Sequence, residues 1–283
     1  MQIIKNIEEL RSIIREWRKE GFSVGLVPTM GYLHEGHKSL IVKAVSENDR
    51  VVVSDFVNPT QFGVNEDLSS YPRDIDRDAA LCQKAGASLI FHPEPEEMYF
   101  KDNCTFVDMD SLTKGLCGRT RPTHFRGVCT VVSKLFHIVT PDRAYFGEKD
   151  AQQLAVIRRM VRDLNFAITI VGCPIVREPD GLAMSSRNTY LNKEERKAAL
   201  ILHKSLVIGE EMMKAGERDA AAVKEAITAN IESEPLARID YVEIVDAETL
   251  ENTARIERSV LTAAAVYIGS TRLIDNFTFQ PQG

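Results

Sequence analysis

Apolar positions recur at helical spacing from the start of the chain. Ile7, Leu10, Ile13, Ile14 and Trp17 share one face, Asn6 and Glu9 are spaced as a capping box, and Gly21 supplies a stop. A short continuous apolar run follows over 22–27, then a helical stretch over about 36–47, then the β-branched run Val51, Val52, Val53 leading to Phe56. The alternation continues with helices predicted near 73–85 and 128–138 and a third marked by Leu154, Ile157, Val161 and Leu164. Strands are predicted over 89–91, 144–146 and 167–171. Short, wholly apolar strands separated by helices belong to a parallel sheet covered on both faces, so the expected fold is α/β, a Rossmann-like doubly wound parallel sheet.

Past Pro174 the pattern changes. A polar, turn-rich stretch runs to Asn192, followed by helices over 193–214 and 220–231 and two strand candidates over 241–245 and 263–268. This predicts a second, smaller C-terminal α+β domain, giving a division into 1–177 and 178–283 with a hinge near 174–181.

Composition narrows the function classes. With 283 residues, 44% hydrophobic and 27% charged, the chain can bury a substantial core, which sets disorder aside. A formal net charge of −6 offers no basic surface for a nucleic-acid backbone, although a local pocket for a single nucleotide is invisible in that sum. The five cysteines, Cys82, Cys104, Cys117, Cys129 and Cys173, form no C-x-x-C pair, so neither structural zinc nor a disulfide framework is expected. No signal segment or bilayer-spanning run is visible, and a reducing cytoplasm is the expected compartment.

The strongest chemical signal is Pro28-Thr29-Met30-Gly31-Tyr32-Leu33-His34-Glu35-Gly36-His37, between the first Rossmann-like strand and its helix. A doubly wound sheet binds phosphates there. Two imidazoles three residues apart at a helix start can donate to phosphate oxygens beside unpaired backbone N–H groups. The bland alternative is a cap and a packed surface histidine.

Three further loops carry polar groups at strand ends. Gly147-Glu148-Lys149-Asp150 opens the helix that holds Gln152 and Gln153. Lys149 would neutralise charge on an α-phosphate, while a capping box of Asp150 and Gln153 is equally compatible with the spacing. Asn58 and Gln61 stand in Phe56-Val57-Asn58-Pro59-Thr60-Gln61-Phe62-Gly63 and could bond a small polar acid, or simply build a Pro-Gly loop. After the turn at Asp180-Gly181, Ser185, Ser186 and Arg187 offer hydroxyls and a guanidinium fork for phosphate. The segment from Arg119 to Gly127, with Arg126 in it, is the locally basic loop near these strands.

The H-x-G-H element resembles the phosphate-binding signature of the nucleotidyltransferase superfamily. Ala183-Met184-Ser185-Ser186-Arg187 looks like that superfamily's KMSKS loop, with Ala183 and Ser186 in its lysine positions. Taken together, the blocks PTMGYLHEGH, FVNPTQFG, HFRGV, FGEKDAQQL and REPDGLAMSSRN resemble the pantoate–β-alanine ligase family over most of residues 22–190.

The resemblance implies an AMP-forming ligase that makes an amide through an acyl adenylate, with ATP as co-substrate, Mg²⁺ carried on its phosphates, and a homodimer. Carried over residue by residue, it implies that Met30, Gly31, Tyr32, Leu33, His34, Glu35, Gly36 and His37 form the ATP loop. Gly147, Glu148, Lys149, Asp150, Val176, Met184, Ser185, Ser186 and Arg187 complete the nucleotide contacts. His37, His34, Lys149 and Arg187 are the expected catalytic set, and Gln61, Gln153, Asn58 and Arg126 the substrate-binding set. A nucleotidyltransferase that keeps AMP in its product, and a silent nucleotide- or tRNA-binding module, are the competing readings.

Overall fold

The computed structural model describes residues 1–64 and 66–281. Six strands, β1 (Gln2–Ile4), β2 (Val24–Thr29), β3 (Arg50–Asp55), β4 (Leu89–Phe91), β5 (Arg143–Gly147) and β6 (Thr169–Cys173), form one sheet in the order β1-β4-β3-β2-β5-β6. All of its pairings are parallel. From β2 the chain winds outward through β3 and β4, then returns to place β5 on the other side of β2. That reversal opens a crevice at the carboxyl ends of β2 and β5, the switch point at which doubly wound sheets hold ligands.

The core beside this crevice is built from Val27, Val51, Val53 and Ile90 of the strands, with Leu40, Ile41 and Ala44 of the helix Glu35–Glu47. Ile41 is fully buried, and such a side chain contributes roughly 1.5–3 kcal/mol relative to exposure. Asn6 caps the first helix, Ile7–Lys19, as its spacing predicts, accepting from the N–H groups of Glu8 and Glu9. No capping box with Glu9 forms; instead Glu97 Oε1 accepts from Ile7 N–H at 2.7 Å.

Contact density divides the chain into two units, but not at one point. The first comprises Met1–Ser111, Arg121–Glu148 and Gln153–Pro174; the second comprises Leu112–Thr120, Lys149–Gln152 and Ile175–Gly283. A single cut after residue 177 therefore has to be corrected, because two short stretches of the N-terminal half are bonded into the second unit. Gln152 Nε2 donates to Leu112 O and Gly115 O and its Oε1 accepts from Cys117 N–H, each at 2.9 Å, while Asn276 Nδ2 donates to Lys149 O at 2.8 Å.

In the second unit, β7 (Ala237–Asp246), β8 (Val260–Ile268) and β9 (Thr271–Phe279) make an antiparallel meander. The helices Leu200–Lys214 and Ala220–Glu232 share its core through Leu202, Leu206, Val223, Ile227, Val266 and Ile268. The helix expected over 193–214 is two, Lys193–Ala198 and Leu200–Lys214.

Candidate active site

Residues 30–37 emerge from β2 at the crevice. The Thr29 hydroxyl donates to Ser54 O at 2.7 Å and accepts from Gly31 N–H at 3.2 Å, fixing the exit of the loop. Gly31 and Tyr32 then take left-handed φ values of 79° and 51°. Gly31 is needed for its φ and for its missing Cβ, which would run into the Asp55 carboxylate. Tyr32 adopts this region without a glycine's freedom, a conformation that persists only when its surroundings hold it. They do: Tyr32 N–H donates to Asp78 Oδ2 at 2.6 Å and Leu33 N–H to Asp78 Oδ1 at 2.7 Å. Asp78 is almost wholly buried, and burial, aided by the Asp55 carboxyl, pushes its pKa up to about 6 against the pull of those two donors.

His34 caps the helix Glu35–Glu47, its Nδ1 accepting from Gly36 N–H at 3.1 Å, and His37 Nδ1 accepts from His34 N–H at 3.3 Å. The two histidines thus form a capping box at the helix start. Because both Nδ1 atoms accept from backbone, the neutral rings carry their proton on Nε2. The ring centroids lie 4.1 Å apart.

After β3, Asn58 and Gln61 are both buried. Gln61 Nε2 donates to Met30 Sδ at 3.0 Å and its Oε1 accepts from Asn58 Nδ2 at 3.1 Å, so this loop reaches Met30 at the start of the 30–37 loop. Asn58 needs correction as a direct ligand, because its amide is taken internally. It donates to Gly127 O and Gln61 and accepts from Tyr99 Oη at 2.8 Å and Thr60 Oγ1 at 3.0 Å. It positions Gln61.

Arg126 is also displaced from expectation: it is exposed and stacks 4.0 Å from the Phe106 ring centroid. The basic residue that meets the Gln61 loop is Arg121, bonding Gln61 O at 3.4 Å while clamping Glu66 at 2.6 and 2.7 Å. His124 Nδ1 lies 3.0 Å from the same carbonyl. A Cβ on Gly127 would meet the backbone of Thr60 and Gln61, so the helix His124–Val139 fits against this loop only as glycine there.

At the end of β5 lie Gly147 and Glu148. Gln152 is spent inside the second unit, whereas Gln153 makes no side-chain hydrogen bond among the described residues, which leaves the capping-box reading of Gln153 unsupported.

The second unit gathers the remaining candidates. Lys149, Ser185, Asn188 and Asp275 line a small cavity with Leu182 and Ala183. Met184 N–H donates to Val176 O at 3.0 Å, Glu178 N–H donates to Leu182 O at 2.8 Å, and an isolated bridge joins Arg177 to Ala183. Arg177 forks onto buried Asp275 at 2.6 and 2.9 Å and holds Gly181 O at 3.1 Å. The expected hinge over 174–181 is therefore fastened within this unit from Arg177 onward. Ser185 caps the short 3-10 helix Ser186–Tyr190 by accepting from Arg187 N–H at 3.3 Å, and Ser186 is buried.

Sequence reasoning missed Asp55, Asp78, Arg177 and Asp275. Asp78 left a signal, since it shares the buried helix face of Cys82 and Ala85 and so interrupts an apolar stripe.

A family model described as pantoate-beta-alanine ligase matches residues 2–278. The pantothenate synthetase of Clostridium acetobutylicum is 63% identical over 279 residues, covering 99% of each chain. A crystal structure of pantothenate synthetase from Thermus thermophilus aligns with a TM-score of 0.93 at 47% identity, over 98% of this chain and 99% of that one. The pantoate-beta-alanine ligase of Francisella tularensis, complexed with beta-gamma ATP and beta-alanine, aligns with a TM-score of 0.80 at 34% identity over 100% of both chains.

Proposed function

The chain belongs to the pantoate–β-alanine ligase family, and from that premise we propose how its residues join pantoate to β-alanine using ATP. The observation that carries the assignment of roles is the H-x-G-H loop at the sheet's switch point, with Gln61 bonded to its first residue. The pantoate carboxylate attacks the α-phosphorus of ATP and pyrophosphate leaves, giving pantoyl adenylate. The amine of β-alanine then attacks the acyl carbon and AMP leaves with the bonding electron pair, giving pantothenate. Adenylation is needed because oxide is a hopeless leaving group from a carboxylate, whereas AMP is a good one. Family membership favours this ligase over a nucleotidyltransferase that retains AMP.

In the first unit, His34 and His37 donate through Nε2 to phosphate oxygens, and residues 30–36 supply backbone to the nucleotide. Gln61 and Gln153 hold pantoate, with Asn58 fixing the Gln61 amide. In the second unit, Lys149 neutralises the α-phosphate as the carboxylate attacks. Arg187 and Ser185 contact the phosphates, Ser186 supports them from within its turn, and Val176 and Asp150 flank the nucleotide.

Among the described residues no three His, Cys, Asp or Glu side chains gather as a metal cage. Mg²⁺ would arrive on the triphosphate, an ion that usually takes few protein ligands. No helix among the described residues is long and apolar enough to cross a membrane. A cytoplasmic homodimer completes the proposal, and sedimentation equilibrium at micromolar concentration tests the assembly.

The function is tested by ATP–[³²P]pyrophosphate exchange with pantoate present or absent and β-alanine withheld. Exchange that requires pantoate is expected; exchange without it, or none from protein that binds ATP, removes the acyl-adenylate mechanism. A second measurement probes the Gly127 contact. Gly127→Ala forces a methyl into backbone, and overpacking of this kind costs roughly 1–3 kcal/mol. The loop that moves is the one holding Gln61, so the pantoate KM should rise by about 10-fold or more, with a much smaller change in the KM for ATP. Equal changes in both would place Gly127's role in general stability.

A further inference from the structure

The loop of residues 31–33 rests on two buried carboxyls. Gly31 lies directly against Asp55, and the N–H groups of Tyr32 and Leu33 each take one oxygen of Asp78. Asp55 ends β3 and Asp78 lies on the helix Ile75–Ala85; Asp55 and Asp78 are 4% and 1% exposed. Asp55 Oδ2 is buried with no hydrogen-bond partner among the described residues. We infer that Asp78, backed by Asp55, is a positioning residue for adenylation that holds the left-handed turn at Gly31 and Tyr32, from which His34 and His37 follow. The inference rests on the adenylation reading given above for this loop.

The chemistry of the clasp follows from its two donors. Ionised Asp78 accepts on both oxygens. Protonated Asp78 must turn one of those oxygens into a donor, and an O–H cannot accept from an amide along the same line. The clasp is therefore closed in the ionised state and loosened in the protonated one. Two carboxylates in one dry site do not both ionise readily, so the Asp55 carboxyl adds to burial in raising the pH at which Asp78 ionises.

The other groups facing the pair are few. His92, after β4, places Nδ1 3.5 Å from Asp55 Oδ1, and this bond raises its basicity. The thiol of Cys82, on the same helix as Asp78, is pushed up to about 12 by burial and by the two carboxylates, so it stays neutral. Arg77 stacks 4.4 Å from the Tyr32 ring centroid, and His34 and His37 lie beyond on the loop itself.

The pair makes stability and activity run in opposite directions. Asp78 in the folded protein titrates near 6, above its ordinary 3.8, so its contribution to stability is complete below about 4 and is lost as pH rises through about 6. Across that same interval the clasp closes and adenylation gains.

Two measurements test the positioning role on full-length protein. Hydrogen exchange of the amides of Tyr32 and Leu33, normalised to unstructured-chain rates, should show protection that increases between pH 5 and 7 in the native protein. In Asp78→Asn that protection should fall by about 10-fold or more, since an amide presents a donor where an acceptor is required. Pantoate-dependent pyrophosphate exchange should show an acid limb near pH 6. Asp55→Asn, which removes the like charge, should move that limb to lower pH by half a unit or more, and Asp78→Asn should lower the rate about 10- to 100-fold and abolish the limb.

Protection of these two amides unchanged in Asp78→Asn, or a limb that stays in place in Asp55→Asn, overturns the inference. The hydrogen-exchange arm does not depend on the reaction, so native protein with the expected protection but no pantoate-dependent exchange would sink the adenylation reading and leave the clasp standing.

Discussion

Lys149→Ala is expected to lower pantoate-dependent pyrophosphate exchange by about 10²- to 10³-fold, the loss seen when one preorganised electrostatic group is removed from a reacting centre. The side chain is 19% exposed and its ion pair with Asp150 spans a loose 4.0 Å, so structure does not consume its charge. Its backbone is fixed instead, through the Asn276 amide on its carbonyl, and it shares a cavity wall with Ser185. In the proposed reaction that ammonium neutralises negative charge accumulating as the carboxylate approaches phosphorus. The fall should therefore lie in kcat with little change in the KM for ATP. A raised KM with unchanged kcat would make Lys149 a ground-state binder. Melting temperature should barely move, because the ion pair removed is weak and half exposed. Lys149→Arg should not restore the rate, since a planar fork replaces a compact point charge.

His37→Gln should lower the same exchange by about 10²- to 10³-fold, for a different reason. His37 Nδ1 accepts from His34 N–H and so fixes its own tautomer, presenting Nε2–H as the donor. Glutamine can place an N–H near the same point, but its longer, freer chain does not keep the bond to the His34 backbone and the donor direction at once. Loss of that bond also loosens the cap of the helix Glu35–Glu47, a change worth about 1 kcal/mol. Steady-state exchange and thermal melting together separate the two effects: a large rate loss with a small stability loss is expected. A rate loss matched by a comparable loss of folded protein would return His37 to the role of a cap.

The sheet was legible because its strand centres are short apolar runs and the intervening helices keep their period. Val51, Val52 and Val53, or Leu26 beside Val27, leave little alternative to a strand covered on both faces. The edge strand β1 escaped because Gln2 is exposed and only Ile4 is buried. β9 escaped because its buried positions include Asp275 and Asn276, polar residues that an apolar pattern cannot register but whose partners are Arg177 and the Lys149 carbonyl. The same physics governs the site. Motifs with unusual residue types, such as the paired histidines and Lys149, stand out in the sequence. Residues that act by accepting backbone N–H groups across 45 or 46 positions, as Asp78 does for Leu33 and Tyr32, leave only a misplaced charge on an apolar face. Asn58 was legible in its loop, but its internal bonding was not, because that depends on Gly127 O, which lies 69 residues away.

The interleaving of the two units bears on how the chain is made. Cys117 Sγ lies 3.3 Å from Tyr241 Oη, a partner 124 residues further along, and Leu116 beside it is 2% exposed. At synthesis rates of roughly 5–20 residues per second, that partner emerges from the ribosome on the order of 6–25 s after Cys117. For that interval Leu112–Thr120 is nascent chain without its destination, while the strands on either side of it can already pair. Domain-by-domain completion during translation is thus denied to this protein. A premature stop between β6 and β7 would release a chain whose sheet is whole but which still displays Leu112, Leu116 and Cys117, side chains meant for the interior and a ready mark for chaperones and proteases.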